Sequence, residues 1–207
     1  MTTDTLFWDN IAERYAKRPV PNPDSYQQKL AITKARLHPA DIVLDVGCGT
    51  GSLALELAPR VAEVHALDVS SAMIEIGRRK AQRRDVTNIR FHQGTLDDTS
   101  FKPAQFDAVC AYNILHLLED RPAALARIFD ALKPGGTFVS STPCIGDSWL
   151  PYRPLLATMR WFGKAPWVGI IDTPTHLGEL GSAGFVNVQT PDVNASRGVV
   201  FIVASKP

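Results

Sequence analysis

The tightest constraint on this chain is a glycine loop, Asp45-Val46-Gly47-Cys48-Gly49-Thr50-Gly51. It follows a β-rich apolar run at residues 42–46 and opens a segment of helical period at Ser52. Three glycines in five positions let the backbone take φ > 0 and let a ligand approach the main chain closely. A plain strand-to-helix turn seldom needs so many. A dinucleotide site would place the third glycine three residues after the second, where Ser52 stands, and a P-loop would carry a Gly-Lys-Ser/Thr that is missing here. Asp45 before the loop suits a cationic ligand, because a carboxylate beside a pyrophosphate is repelled.

Around the loop, short apolar runs alternate with helical segments. Strands are expected at residues 42–46, 61–67, 89–93, 106–112 and 137–141, with helices at 52–58, 71–84 and 122–132 between them. Such alternation implies right-handed crossovers and a parallel sheet covered on both faces. Near the end, residues 185–189 and 199–203 have only turn formers between them and should pair as an antiparallel hairpin. The expected fold is therefore α/β: a doubly wound, mostly parallel sheet with a C-terminal antiparallel hairpin. The 207 residues fit a single domain: N-terminal helices (1–40), a core around the glycine loop (41–142), an aromatic-rich segment (143–175), and a helix with the hairpin (176–207).

Composition excludes several function classes. Lys and Arg number 22 against 21 Asp and Glu, a net charge of +1, whereas chains that live on phosphate backbones carry a larger basic excess. The basic run Arg78, Arg79, Lys80, Arg83 and Arg84 reads as a solvated helix end, without the neighbouring aromatics that stack bases. Three cysteines, with no CxxC pair, argue against a disulfide framework or a zinc site and point to a reducing, cytoplasmic setting with no bound metal. No signal peptide and no run of membrane-spanning length is visible, since the longest clean apolar run is residues 199–204.

At the glycine loop the sequence resembles the class I S-adenosylmethionine-dependent methyltransferases. Residues 43–51 match that family's first motif, and the resemblance continues through 67–73, Gly94, Phe106-Asp107 and residues 132–136. It implies a seven-stranded sheet with one antiparallel strand and a bound S-adenosyl-L-methionine, released as S-adenosyl-L-homocysteine. Asp45, Gly47, Cys48, Gly49 and Gly51 would cradle that cofactor. Asp68, which ends the second strand 17 residues beyond Gly51, would accept the ribose hydroxyls, with Val69 beside it. Its alternative role is to cap the helix starting at Ser71. Met73 would pack the adenine or simply join the core. Gly94, Thr95 and Leu96 form the third motif, which departs from the family in carrying Thr95 where an acid is common. The adenine amino group would then meet Thr95, the backbone, Asp97 or Asp98. Tyr112 completes the cofactor set.

Methyl transfer from a sulfonium is an in-line displacement in which positioning and dryness supply much of the rate, so a general base is optional. Tyr112, Asn113 and His116 leave the fourth strand at the carboxyl edge of the sheet, where the acceptor should bind. His116 could take a proton, and Tyr112 is the second catalytic candidate. Tyr15, Asn113, His116 and Trp149 are candidate acceptor contacts. The aromatics of 143–175, with Trp8, Tyr15 and Tyr26, could roof the crevice. The expectation is a methyltransferase for a small organic or amphiphilic acceptor. RNA or protein methylation, or cofactor binding without transfer, are the alternatives.

Overall fold

The computed structural model describes residues 3–98 and 101–207. Its seven strands form one sheet in the order β3-β2-β1-β4-β5-β7-β6. The parallel part comprises β1 (Ile42–Val46), β2 (Glu63–Asp68), β3 (Ile89–Gln93), β4 (Phe106–Tyr112) and β5 (Leu132–Pro143). β7 (Val199–Ser205) runs antiparallel to β5 and to β6 (Val186–Gln189), so it is the one reversed strand and β6 forms the edge. Strand order reverses between β1 and β4, and at that switch point the carboxyl ends open a crevice.

Strand alternation sends side chains to two separate cores. Val43, Ala66, Ala108, Cys110, Val139 and Val203 pack with Leu53 and Leu57 of α3 (Ser52–Leu57), Leu30 of α2 (Pro23–Lys34) and Ile74 of α4 (Ser71–Arg83). Leu44, Val46, Leu67, Val109, Phe138 and Ile202 face Leu125 and Ile128 of α5 (Arg121–Ala131) and Leu180 of α7 (Thr173–Ser182). Both faces are buried, as parallel strands require.

The Lys133-Pro134-Gly135-Gly136 stretch, expected as a stop between helix and strand, belongs instead to a longer β5. Register against β4 jumps from Phe106↔Leu132 to Ala108↔Thr137, so these residues form a bulge. Lys133 Nζ donates to Asp107 Oδ1 at 2.7 Å, and Asp107 Oδ2 accepts from the Ile42 amide at 2.8 Å. The Phe106-Asp107 and Lys133–Gly136 motifs thus clasp the amino ends of β1, β4 and β5, away from the crevice.

Outside the sheet, α1 (Thr3–Ala16) lies on α4, packing Ala12 against Met73 and Ile76. The 143–175 segment holds the exposed helix α6 (Tyr152–Trp161). Among the described residues no helix is long and apolar enough to cross a membrane.

Candidate active site

A cavity of about 390 Å³ opens at the switch point. Its floor is the glycine loop. Gly47, Gly49 and Gly51 all take positive φ (+68°, +52° and +72°), a region that costs any L side chain. Space is as tight as conformation at Gly47, where a Cβ would stand 2.5 Å from Ile114 Cγ1. The Cys48 amide donates to Leu67 O at 2.9 Å and ties the loop to the end of β2.

Asp68 stands at the junction of loop and sheet. Its Oδ2 accepts the Gly49 amide at 2.8 Å and its Oδ1 accepts the Ser70 amide at 2.9 Å. The helix cap is a different residue: the Ser70 hydroxyl accepts from the Met73 amide at 3.1 Å. A carboxylate offers about four lone-pair sites, more than the main-chain amides here take up. Burial pushes the Asp68 carboxyl above the ordinary range, against the Ser70, Gly49 and Val69 amides that pull it down.

Along one wall α1 contributes Trp8 and Tyr15, edge-to-face with ring centroids 6.1 Å apart. The α1 helix is fixed there by Asp9, whose Oδ1 accepts the Ser70 hydroxyl at 2.6 Å and the Ala72 amide at 3.0 Å. Tyr112 and Asn113 close the far side. Thr33 spends its one hydroxyl proton on Lys29 O at 2.8 Å, so the Tyr112 hydroxyl, 2.8 Å away, donates to Thr33 Oγ1. Burial raises the Tyr112 phenol well above its usual range, and it stays protonated. Asn113 adopts φ +56°, tolerable for Asn, and its amide donates to Ser141 O at 2.7 Å.

Of the residues expected from sequence, Gly47, Gly49, Asp68, Val69, Met73, Gly94, Thr95, Leu96, Tyr112, Asn113 and Tyr15 line this cavity. Asp45, Cys48, Gly51, His116 and Trp149 do not. Asp45 is 1% exposed beneath the loop, where it accepts a bond from the Ala54 amide in the first turn of α3, and its Oδ2 has no partner. Burial, reinforced by Asp68, pushes its carboxyl up to about 8. The Cys48 thiol is likewise buried and pushed up. Gly51 serves the fold instead, as the left-handed cap of α3 packed close to Phe91. Burial and nearby Arg121 lower His116 to about 4, so it is neutral at pH 7, with Nδ1 buried and unpartnered. Trp149 is 90% exposed and borders a smaller cavity of about 280 Å³ with Tyr152 and Arg197. None of the 143–175 aromatics lines the main cavity, and Tyr26 packs in the α2 core.

Asp98 Oδ2 is taken by the amide and hydroxyl of Thr95 at 3.0 and 2.9 Å, whereas Asp97 reaches the cavity and pairs with Arg127. Sequence reasoning missed the far end altogether, where Leu117, Leu118, Asp120, Ala123, Ala124 and Arg127 extend the wall. The available signal was Asp120 before Arg121-Pro122, a helix start at the carboxyl edge; Asp120 Oδ1 accepts the Ala123 amide at 3.0 Å. Much of the basic run at the end of α4 is engaged within the chain: Arg78 donates to Phe91 O at 3.3 Å, Arg79 pairs with Glu13 at 2.6 Å, Lys80 donates to Thr50 Oγ1 at 2.7 Å, and Arg84 pairs with Glu56 at 3.6 Å.

Known proteins agree with this geometry. The methyltransferase-domain model matches residues 43–136. A trans-aconitate 2-methyltransferase of Deinococcus radiodurans is 36% identical over 183 residues, covering 77% of this chain and 67% of that protein. The chain belongs to the class I S-adenosylmethionine-dependent methyltransferases. An uncharacterized methyltransferase of Bacillus subtilis, YcgJ, is 31% identical over 156 residues, and the match covers 75% of this chain but only 59% of that protein. In fold, the chain superimposes on a phosphoethanolamine N-methyltransferase of Haemonchus contortus solved with S-adenosyl-L-methionine, with a TM-score of 0.73 and 17% identity over 88% of this chain and 53% of the other. The seven-stranded mixed sheet expected from the sequence is the methyltransferase sheet. The residues present also fit the family's cofactor: the floor is bare backbone with no room for a Cβ at Gly47, and Asp68 faces the cavity with free lone pairs.

Proposed function

We propose that this chain binds S-adenosyl-L-methionine in the main cavity and transfers its methyl group to a small organic acceptor. The observation that carries the reading is the cavity itself. At about 390 Å³ it falls in the range of small-molecule sites, roughly 300–1,000 Å³, and its walls are apolar and aromatic around a few polar groups. Bound there, the cofactor supplies an electrophilic sulfonium methyl. The chain's own residues do the rest. Asp68 offers its free lone pairs to vicinal hydroxyls. Asp97 and the main chain near Thr95 stand where a base edge would be read. The Asp68 carboxyl, with the ring faces of Trp8, Tyr15 and Tyr112, favours a cation in the cavity. The same rings exclude water, which strengthens those interactions.

Among the described residues the candidate bases are otherwise engaged: the Tyr112 hydroxyl donates to Thr33, Asp97 pairs with Arg127, Asp120 caps α5, and His116 does not line the cavity. Acceptors that are already anionic or nucleophilic, such as carboxylates and phenolates, therefore suit the site better than neutral alcohols. Calorimetry should show binding of S-adenosyl-L-homocysteine and none of NAD. A panel of carboxylate, phenol and amine metabolites, read by S-adenosyl-L-homocysteine formation, then tests transfer. Tight binding of NAD, or turnover on RNA or protein with none on the panel, would overturn the proposal.

A further inference from the structure

The main cavity leaves one large feature of the molecule unused. Among the described residues, half of the large apolar side chains that stand exposed fall between 149 and 162: Trp149 (90%), Leu150 (44%), Leu155 (54%), Trp161 (83%) and Phe162 (63%). Helix α6 buries no residue at all. From 148 to 171 the chain carries Arg153, Arg160 and Lys164 and no acid, leaving the rest of the molecule net −2. From this we propose that the 149–164 face docks on a bilayer surface carrying anionic phospholipid headgroups.

The arrangement around α6 carries the argument. At 100° per residue, Tyr152, Leu156 and Met159 share one stripe, and these are its half-buried residues, so they face the protein body. Trp161 lies opposite, directed outward. Leu155 and Phe162, seven residues apart, form one flank, and Arg153 and Arg160, also seven apart, form the other. Lys164 follows just past the helix end. An outward apolar side with Trp, Phe and Leu, bordered by long cationic side chains, is the pattern of a helix that lies in the membrane interface. Arg and Lys stems can run along the apolar flank while their heads reach lipid phosphates. Among the described residues, Arg160 pairs with Asp4 at 3.8 Å.

Charge decides between this occupant and a second copy of the chain. A two-fold contact through the same face would set Arg153, Arg160 and Lys164 against their own copies, with no acid anywhere in residues 148–171 to answer them. An anionic surface answers all three. It attracts each Lys or Arg by about 1 kcal/mol, close to fivefold in binding, and the attraction weakens with salt.

The test is co-flotation of the full chain with phosphatidylcholine vesicles, with and without 30% phosphatidylglycerol. Binding is expected only with phosphatidylglycerol, reduced by 0.5 M salt. R153Q/R160Q/K164Q should weaken it about a hundredfold, and L155S/W161S/F162S at least tenfold. Both triple variants alter exposed side chains, so thermal midpoints should stay near the parent's. Absence of flotation, equal flotation on phosphatidylcholine alone, or full binding by either triple variant would overturn the proposal. A dimer in sedimentation that L155S/W161S/F162S dissolves, without vesicle binding, would identify a second copy as the occupant and overturn it as well.

Discussion

Replacing Gly47 by alanine tests the idea that the floor of the cavity is dictated by the backbone. At φ +68° an alanine pays roughly 1–2 kcal/mol for the left-handed conformation. Its Cβ would also stand 2.5 Å from Ile114 Cγ1 and 2.7 Å from both Cβ and Cδ1 of the same side chain. Contacts that short force movement, and overpacking of this kind costs about 1–3 kcal/mol. Together the two effects predict a loss of about 2–5 kcal/mol, or roughly 4–20 °C in thermal midpoint for a chain of this size. Adding Ile114→Ala removes the Cγ1 and Cδ1 overlaps but leaves the contact with the residue's own Cβ and the backbone strain. The double variant should therefore be less destabilised than the two single effects added together, by part of that overpacking cost, about 1 kcal/mol or more in a denaturation cycle. Binding of S-adenosyl-L-homocysteine, followed by calorimetry, should fall at least tenfold in Gly47→Ala and recover in part in the double variant. Strict additivity of the two substitutions would refute the steric reasoning and leave the glycine requirement to conformation alone.

Three further outcomes follow from the same geometry. Asp68→Ala should weaken S-adenosyl-L-homocysteine binding tenfold or more and also lower the apo-protein midpoint, because the Gly49 and Ser70 amides lose their acceptor; an unchanged apo midpoint on thermal melting would show that those bonds contribute nothing. Asp45, at about 8 in the folded chain against about 3.9 unfolded, contributes stability that is present below pH 4 and lost as pH rises towards 8. Asp45→Asn should therefore be the more stable protein at pH 8, with an advantage that shrinks as pH falls and is gone below pH 4 in guanidinium melts. Asp9→Ala, which strips the acceptor from the Ser70 hydroxyl and the Ala72 amide, should cost about 1.5–3 kcal/mol and weaken S-adenosyl-L-homocysteine binding several-fold by freeing Trp8 and Tyr15; calorimetry that finds parental affinity would show α1 to be packing only.

What could be read from the sequence follows the backbone's own demands. β1 and β4 begin and end where their apolar runs do, because buried parallel strands tolerate few polar residues. The boundary of β5 was misplaced because Lys133-Pro134-Gly135-Gly136 has the chemistry of a chain break. It is instead a bulge, held by Lys133 on Asp107 across the sheet, a partner that local patterning does not reveal. The same division runs through the site. Glycines and Asp68 announce themselves because φ > 0 and a strand-terminal acid have few other causes. Asp45 was legible as an acid near a ligand, but not as one that stays under the loop on the Ala54 amide.

The far end of the cavity resisted reading for a different reason: much of its wall is assembled from residues with no chemistry of their own. Leu117, Leu118, Ala123 and Ala124 become cavity lining only because Asp120 starts α5 at the carboxyl edge. The aromatics of 143–175 mislead in the opposite direction. Their composition is that of a pocket wall, yet Trp149 and Trp161 point to solvent while Trp8 and Tyr15, from the other end of the chain, take the place beside the glycine loop. What decides between the two sets is anchoring. Asp9 fastens α1 to the first turn of α4 with two short bonds, next to Asp68, whereas α6 has no buried residue to hold it against the sheet. An aromatic side chain joins a site when its backbone is pinned there, and that information lies in a carboxylate one residue from Trp8 rather than in the ring.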